Sequence, residues 1–302
     1  MTALLGAISI SLSGIFYRLS ETSPETAAVF RSLYGLPILV IAAWFERREL
    51  GPLPRRSVLL ALVAGTLFAT DIIFWHHAVD AVGAGLATVL GNMQVVIVAI
   101  GAWLLLGERP STRALIALPI VLAGVVFISG VLGDAESYGA NPQLGAMLGI
   151  VSAFAYAGYL MLIRQAGRRR AGEPVAFSTT ATLAVSLVAG FGIGTLDLTP
   201  SLSAHVWLAL VGVSAQSAGY IFISLSLPRL PAVVVSIILL AQPVLAVLLA
   251  IVIVNETPSL GQFVGVALLL GGIAFATLPV SSGRLTRRGR TALGAPSPRE
   301  GH

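Results

Sequence analysis

No cysteine occurs in the 302 residues, which excludes disulfides, thiolate metal sites and thiol nucleophiles. Lysine is absent as well, so all 18 basic residues are arginine. Without lysine the phosphate-binding loop G-x-x-x-x-G-K-[ST] cannot be completed, and ATP-driven work by this chain alone is not expected. Charge is scarce: Asp, Glu and Arg make up 10% of the chain, against about 25% in a typical soluble domain. A soluble fold of this length would lack the polar surface it needs. A bilayer removes that need, because lipid tails accept apolar side chains. No ligand set with metal spacing stands out, so no catalytic residue, metal or cofactor is assigned.

What the chain does have is apolar length, with 56% of its residues hydrophobic. A helix needs roughly 20 mainly apolar residues to cross the hydrocarbon layer. That ruler gives ten segments, near 2–19, 26–45, 57–79, 82–107, 112–131, 143–163, 176–196, 205–227, 231–254 and 258–280. Runs of this length are too long for barrel strands, so the expected class is all-α integral membrane. The first segment reads as a retained span, since no basic n-region precedes it. It is short, as a slightly truncated start would make it.

The arginines set an orientation. Arg47, Arg48, Arg55 and Arg56 fall between spans two and three, and Arg109 and Arg113 between four and five. Arg164, Arg168, Arg169 and Arg170 follow span six, Arg229 follows span eight, and five more lie in the tail. The alternate loops carry Glu21, Glu25, Asp80, Asp134, Glu136 and Asp197 instead. By the positive-inside rule both termini are cytoplasmic and the protein sits in the inner membrane. The net charge of +5 therefore reflects topology, and no nucleic-acid partner is expected. Trp44, Trp103 and Trp207 read as interfacial anchors. Residues 281–302, rich in Gly, Ser, Pro and Arg, are predicted to be a disordered cytoplasmic tail with a weak attraction to anionic lipid.

The chain also resembles itself. Shifted by 148 residues, Ala61-Leu62-Val63 meets Ala209-Leu210-Val211, Gln94 meets Gln242, and Glu108-Arg109-Pro110-Ser111 meets Glu256-Thr257-Pro258-Ser259. Shifted by 139, Leu5-Gly6-Ala7 meets Leu144-Gly145-Ala146, Ser13 meets Ser152 and Tyr17 meets Tyr156. The division is a first repeat at 1–131, an external linker at 132–142 and a second repeat at 143–280. Five spans per copy is an odd number, so the copies insert with opposite orientations. Inverted repeats recur in secondary transporters, where they open a path alternately to each side.

The end of the fourth span, Gly101-Ala102-Trp103-Leu104-Leu105-Leu106-Gly107-Glu108-Arg109-Pro110, and its second copy from Gln242-Pro243 through Asn255-Glu256-Thr257-Pro258, resemble the drug/metabolite transporter superfamily. The likeness is to its ten-span EamA-type members and covers about residues 3–280. The first half departs from the family pattern with Val95 facing Pro243, and Asn255 replaces the Gly found at 107. The resemblance implies an inverted-repeat bundle with a central cavity. It further implies export or uptake of amino acids, other metabolites or drugs, and no enzymatic activity.

Charged side chains at mid-bilayer cost about 2.5–3.5 kcal/mol on insertion scales, so they normally face a cavity or a partner. Arg31 lies roughly 9 Å inside span two and Asp71 roughly 12 Å inside span three, both from the outer side. They are expected to pair or jointly line an outward cavity, the alternative being an ion pair that only joins two helices. Gln94 and Gln242, repeat mates near mid-span, can each donate and accept hydrogen bonds, which suits a zwitterionic or polar solute. Polar stripes at i, i+4 spacing run through Ser9, Ser13 and Tyr17 in span one, Ser152 and Tyr156 in span six, and Gln216, Tyr220 and Ser224 in span eight, and Trp75 is one turn from Asp71. His76 and His77 point to different faces, so at most one shares the Asp71 cavity, and His77 is taken as the proton-relay candidate. Pro243 is expected to break its helix, and Gly261 with Gly265 to pack helices or a second protomer. The expected function is secondary active transport of a small metabolite, with protons as a coupling partner, by a monomer or homodimer embedded in lipid. An integral-membrane enzyme acting on a lipid-linked substrate, or a passive channel, is the alternative.

Overall fold

The structure is a computed structural model and describes residues 1–128, 141–167, 170–245, 248 and 259–277. The external linker (with Asp134 and Glu136), Arg168 and Arg169, the second motif at Asn255-Glu256 and the arginine-bearing tail lie outside the described residues. Among the described residues every regular element is helical. In chain order these are α1 (Thr2–Ser20), α2 (Pro24–Leu50), α3 (Arg55–Asn92), α4 (Gln94–Leu106), α5 (Thr112–Ile128), α6 (Pro142–Ala166) and α7 (Gly172–Ile193). Then follow α8 (Leu202–Val211), a π-helical stretch (Gly212–Gly219), α9 (Tyr220–Ser226), α10 (Ala232–Leu239) and α11 (Leu260–Thr277). Six helical stretches are long and apolar enough to cross a membrane, and four shorter apolar ones accompany them. Leu104, Leu105, Val188, Phe191 and Leu202 are exposed on the outside, as a surface bathed in lipid allows.

Helix starts follow local chemistry. Ser23, Asn141 and Ser201 each accept a backbone N–H three residues on, capping α2, α6 and α8. Pro24 and Pro142 then occupy first-turn positions where no N–H is missed.

Three elements differ from the spans expected above. Helical hydrogen bonding runs through the expected break at residues 80–81 and stops at Met93 instead. The rod is not straight. A Cβ on Gly91 would meet Trp75 Cδ1 at 3.1 Å, whereas sixteen residues of straight helix span about 24 Å. The chain therefore folds back between them, and spans three and four remain antiparallel neighbours. In span eight, the π-helical stretch interrupts the expected single helix. In span nine, α10 ends at Leu239 and helix resumes over 241–245. Pro243 explains that break, because its ring clashes with the carbonyl four residues back, that of Leu239. The first half breaks at the matching place, Met93, with no proline.

The helices pair across the two halves. α2 lies along α7, α5 along α11 and α4 along α10. α3 packs on α6, and α1 on the α8–π–α9 span. The main core contains Phe68, Tyr159, Leu160, Ile163 and Tyr220. A second apolar cluster, with Val95, Val121, Ile237 and Leu269, fills the space among α4, α5, α10 and α11. There Gly124 and Gly265 bring α5 and α11 close, while a Cβ on Gly261 would meet only ordinary contacts, Ser259 Oγ at 3.6 Å and Phe127 Cδ1 at 4.0 Å.

The two ends of the α2–α7 pair are tied differently. At the end where the arginine-bearing loops meet, Glu46 accepts the N–H groups of Ala171, Gly172 and Glu173, each at 2.8 Å. In return, Arg170 donates to the carbonyls of Leu50 and Gly51 and pairs with Glu173. An anion thus caps the start of one helix and a cation the end of the other, each matching the helix dipole. At the opposite end the ties are hydroxyls. Ser23 donates to Thr195 O, Thr195 donates to Glu25, and the N–H of Asp197 donates to Thr26 Oγ1.

Candidate functional site

Where α1, α2, α3, α6 and the π-interrupted span converge, a cavity of about 320 Å³ remains between the halves. Its α3 wall is Phe68, Asp71, Ile72, Trp75 and His76. That is the i, i+3, i+4, i+7, i+8 stripe of one helix face. Tyr17, Trp75 and His76, all partly exposed, mark the mouth at the end remote from the arginine clusters. Gln94 and Tyr220 are buried on the side facing those clusters.

Arg31 is only 9% exposed. Its Nε donates to Gln216 Oε1 at 3.0 Å, and Gln216 Nε2 donates to Thr179 Oγ1 at 2.9 Å. The guanidinium also stands 5.7 Å from the Phe68 ring centroid, a cation–π distance. This anchor depends on backbone approach. A Cβ on Gly35 would meet Gln216 Cγ at 2.9 Å, and one on Gly212 would meet Arg31 O at 2.9 Å. The π-helical stretch presents Gln216 at that crossing, and beside it the single hydroxyl hydrogen of Ser217 is shared between Gly35 O and Gly212 O, 3.0 and 2.8 Å from Oγ. Such π segments are frequent at functional sites.

Asp71 lines the same cavity, but it makes no ion pair with Arg31; the ion pairs among the described residues are His77–Glu25, Arg164–Glu108 and Arg170–Glu173. The direct pairing allowed for above is thus replaced by shared cavity lining. Ser152 Oγ donates to Asp71 Oδ1 at 2.6 Å. Each charge of the first half is therefore held by a neutral group of the second. Neutral partners orient both groups, which line one cavity and act on each other through space without a direct ion pair.

Of the other expected residues, Gln94, Gln242, Tyr17, Tyr156, Tyr220 and Trp75 line the cavity. Gln94 is 3% exposed, and its Oε1 has no hydrogen-bond partner among the described residues. A buried acceptor left unpaired is unfavourable by about 1–3 kcal/mol, so a donor-bearing solute would be welcome there. His77 is a correction. It turns from the cavity to Glu25, 2.8 Å from Oε1, and His76 takes the place on the wall. The helical stripe accounts for this, since His76 is four residues from Ile72 and one beyond Trp75. The Ile72 carbonyl only accepts, so His76 Nδ1 carries the hydrogen of their 2.6 Å bond. Gln216 and Ser152 sat in expected polar stripes, but their partners, 185 and 81 residues away, had no sequence signal. No group of three or more His, Asp or Glu side chains among the described residues is placed to hold a metal.

Comparison with known proteins agrees with this architecture. A chain of known crystal structure superposes with a TM-score of 0.77, covering 92% of this chain and 98% of its own, at 21% identity. That likeness concerns the fold. An uncharacterized protein of Pseudomonas aeruginosa is 29% identical over 251 residues, 83% of each chain. The uncharacterized transporter YwfM of Bacillus subtilis is 26% identical over 84% of each chain. An uncharacterized transporter of Archaeoglobus fulgidus is 23% identical over 90% of this chain and 94% of its own. The EamA-like transporter family matches residues 1–130 and again 143–278. This multi-pass membrane protein thus belongs to the EamA-like transporter family, within the drug/metabolite transporter superfamily.

Proposed function

We propose that the protein is a secondary active transporter that carries a small amphoteric metabolite, such as an amino acid or a close relative, through the cavity between its halves. The observation that carries this reading is a pair of opposite charges lining one cavity without a direct ion pair, Arg31 from α2 and Asp71 from α3, each oriented by a neutral partner from the other half. A carboxylate is matched by Arg31, and an ammonium by Asp71 and the open Gln94 Oε1. Aromatic walls from Tyr17, Phe68, Trp75, Tyr156 and Tyr220 suit an apolar body.

Ten spans in two inverted five-span repeats, 1–131 and 143–280, make this cavity a pivot. Two facts support that arrangement. The family matches twice, and the helix pairing is unchanged when each span is exchanged for the one five places on: α3 on α6 becomes span eight on α1. Alternating access follows from rocking one copy against the other. The arginine-rich end is cytoplasmic by the positive-inside rule, with both termini on that side of the inner membrane.

The test is uptake of labelled amino acids and related metabolites into proteoliposomes under an imposed pH gradient, with wild type and Asp71→Asn. Accumulation against the solute gradient, abolished in a monodisperse Asp71→Asn protein, is the expected result. Flux that only equilibrates the solute would indicate a passive channel. Equal accumulation by both proteins would remove Asp71 from the mechanism.

A further inference from the structure

Three helices leave the cavity wall and meet again at the arginine-rich end. α4 starts at Gln94 and runs to Leu106. α6 carries Ser152 and Tyr156 on the wall and Arg164 about two turns further on. α10 starts at Ala232 and ends at Leu239 on the wall, just before Gln242. The far ends converge on one carboxylate. Arg164 Nη1 donates to Glu108 Oε2 at 2.7 Å, and Arg164 Nη2 pairs with Glu108 Oε1. The N–H of Ala232 donates to Glu108 Oε2 at 3.2 Å.

Local sequence puts the carboxylate there. Gly107 adopts φ 69°, a left-handed conformation suited to glycine, and the N–H of Glu108 returns to Ala102 O at 3.0 Å. α4 thus ends with Glu108 turned toward its neighbours. The two-pronged arginine contact fixes both partners in plane, and the positive start of α10 adds to the attraction. Between this junction and the cavity lies packed core: Val98, Ala102, Tyr159, Ile163, Leu227 and Val235 are all buried.

We propose that Glu108 is the latch of a gate on the arginine-rich face. Its bonds to Arg164 and Ala232 hold α4, α6 and α10 together over the buried plug. A solute that draws Gln94 and Gln242 inward loads the other ends of α4 and span nine. The latch and the binding site are therefore joined by α4, which begins at Gln94 and ends beside Glu108, and by α10, which runs from Ala232 to Leu239 on the wall. Opening to the arginine-rich face separates Glu108 from Arg164 and Ala232. The inference rests on the transporter reading above.

The absence of cysteine makes the test direct. Val235→Cys is placed in the plug and, separately, Ser13→Cys in the cavity. Each is reacted with a membrane-impermeant maleimide from either face of oriented vesicles, with and without Glu108→Gln. The latch requires Glu108→Gln to raise labelling at position 235 from the arginine-rich face by roughly tenfold, the scale of one charge-assisted hydrogen bond. Labelling at position 13 from the other face should fall. Arg164→Lys, which keeps the charge and loses the fork, should give a smaller change of the same sign; it also keeps the test alive if Glu108→Gln does not fold. No change at position 235, or an equal rise at both positions, overturns the latch, the second marking general loosening. Labelling needs no transported solute, so a silent flux assay leaves this readout standing.

Discussion

The two ends of the α2–α7 pair are held by different chemistry, and the partly exposed cavity residues Tyr17, Trp75 and His76 lie toward one of them. At the arginine-rich end Glu46 takes three backbone N–H groups and Arg170 two carbonyls. At the other end Ser23, Thr26 and Thr195 supply mainly neutral hydroxyl bonds around the buried Glu25. Hydrogen bonds with a charged partner are roughly twice as strong as neutral ones. The arginine-rich end is thus tied mainly through charge, and the end nearer Tyr17, Trp75 and His76 mainly through hydroxyls, with Glu25 also held by His77. An open cavity mouth beside the weaker ties is what alternating access requires of one of its two states.

Four substitutions would break or sharpen this contrast. Glu46→Ala should have the largest effect, because three helix-start donors lose one shared acceptor. A stability loss of roughly 3 kcal/mol is expected, read as a lowered midpoint for thermal aggregation in detergent. Gln216→Leu should follow at about 2 kcal/mol, since it strips the Arg31 Nε of its partner inside the bundle. It should also abolish flux, whereas Glu46→Ala should slow it only in proportion to folded protein. Thr195→Val, which takes one donor from the buried Glu25 carboxylate, should cost about 1.5 kcal/mol. If it matched Glu46→Ala, the contrast between the ends would be wrong. Arg48→Ala should do least, within about 0.5–1 kcal/mol, because it loses only a surface cation–π contact with Trp44.

Much of this was legible in the sequence, for identifiable reasons. Apolar runs report spans because the bilayer leaves few alternatives, and the stripes ending in Tyr17 and Tyr156 reach the cavity because helical period is strict. The same period put His76 and His77 on different faces, but it did not say which faces the cavity: His77 was expected there, and the structure places His76 on the wall. Depth placed Arg31 and Asp71 at one level but could not assign their partners. Gln216 and Ser152 arrive from the other half of the chain, and only the close approach at Gly35 and Gly212 brings Gln216 into reach. Glu46 was invisible among its arginine neighbours because its partners are backbone N–H groups more than a hundred residues away. The break before Pro243 follows from proline chemistry, whereas its counterpart at Met93 has no such marker.

The central claim is that Arg31 and Asp71 together read an amphoteric solute. Equilibrium binding to purified protein tests it most directly, using an amino acid beside its decarboxylated and deaminated analogues, with wild type and Asp71→Asn. The expected result is that wild type prefers the intact amino acid to either analogue by roughly tenfold or more, the range of one charge-assisted contact. Asp71→Asn should lose the preference over the deaminated analogue while keeping that over the decarboxylated one. Equal affinity for all three ligands, or a preference untouched by Asp71→Asn, would contradict the account.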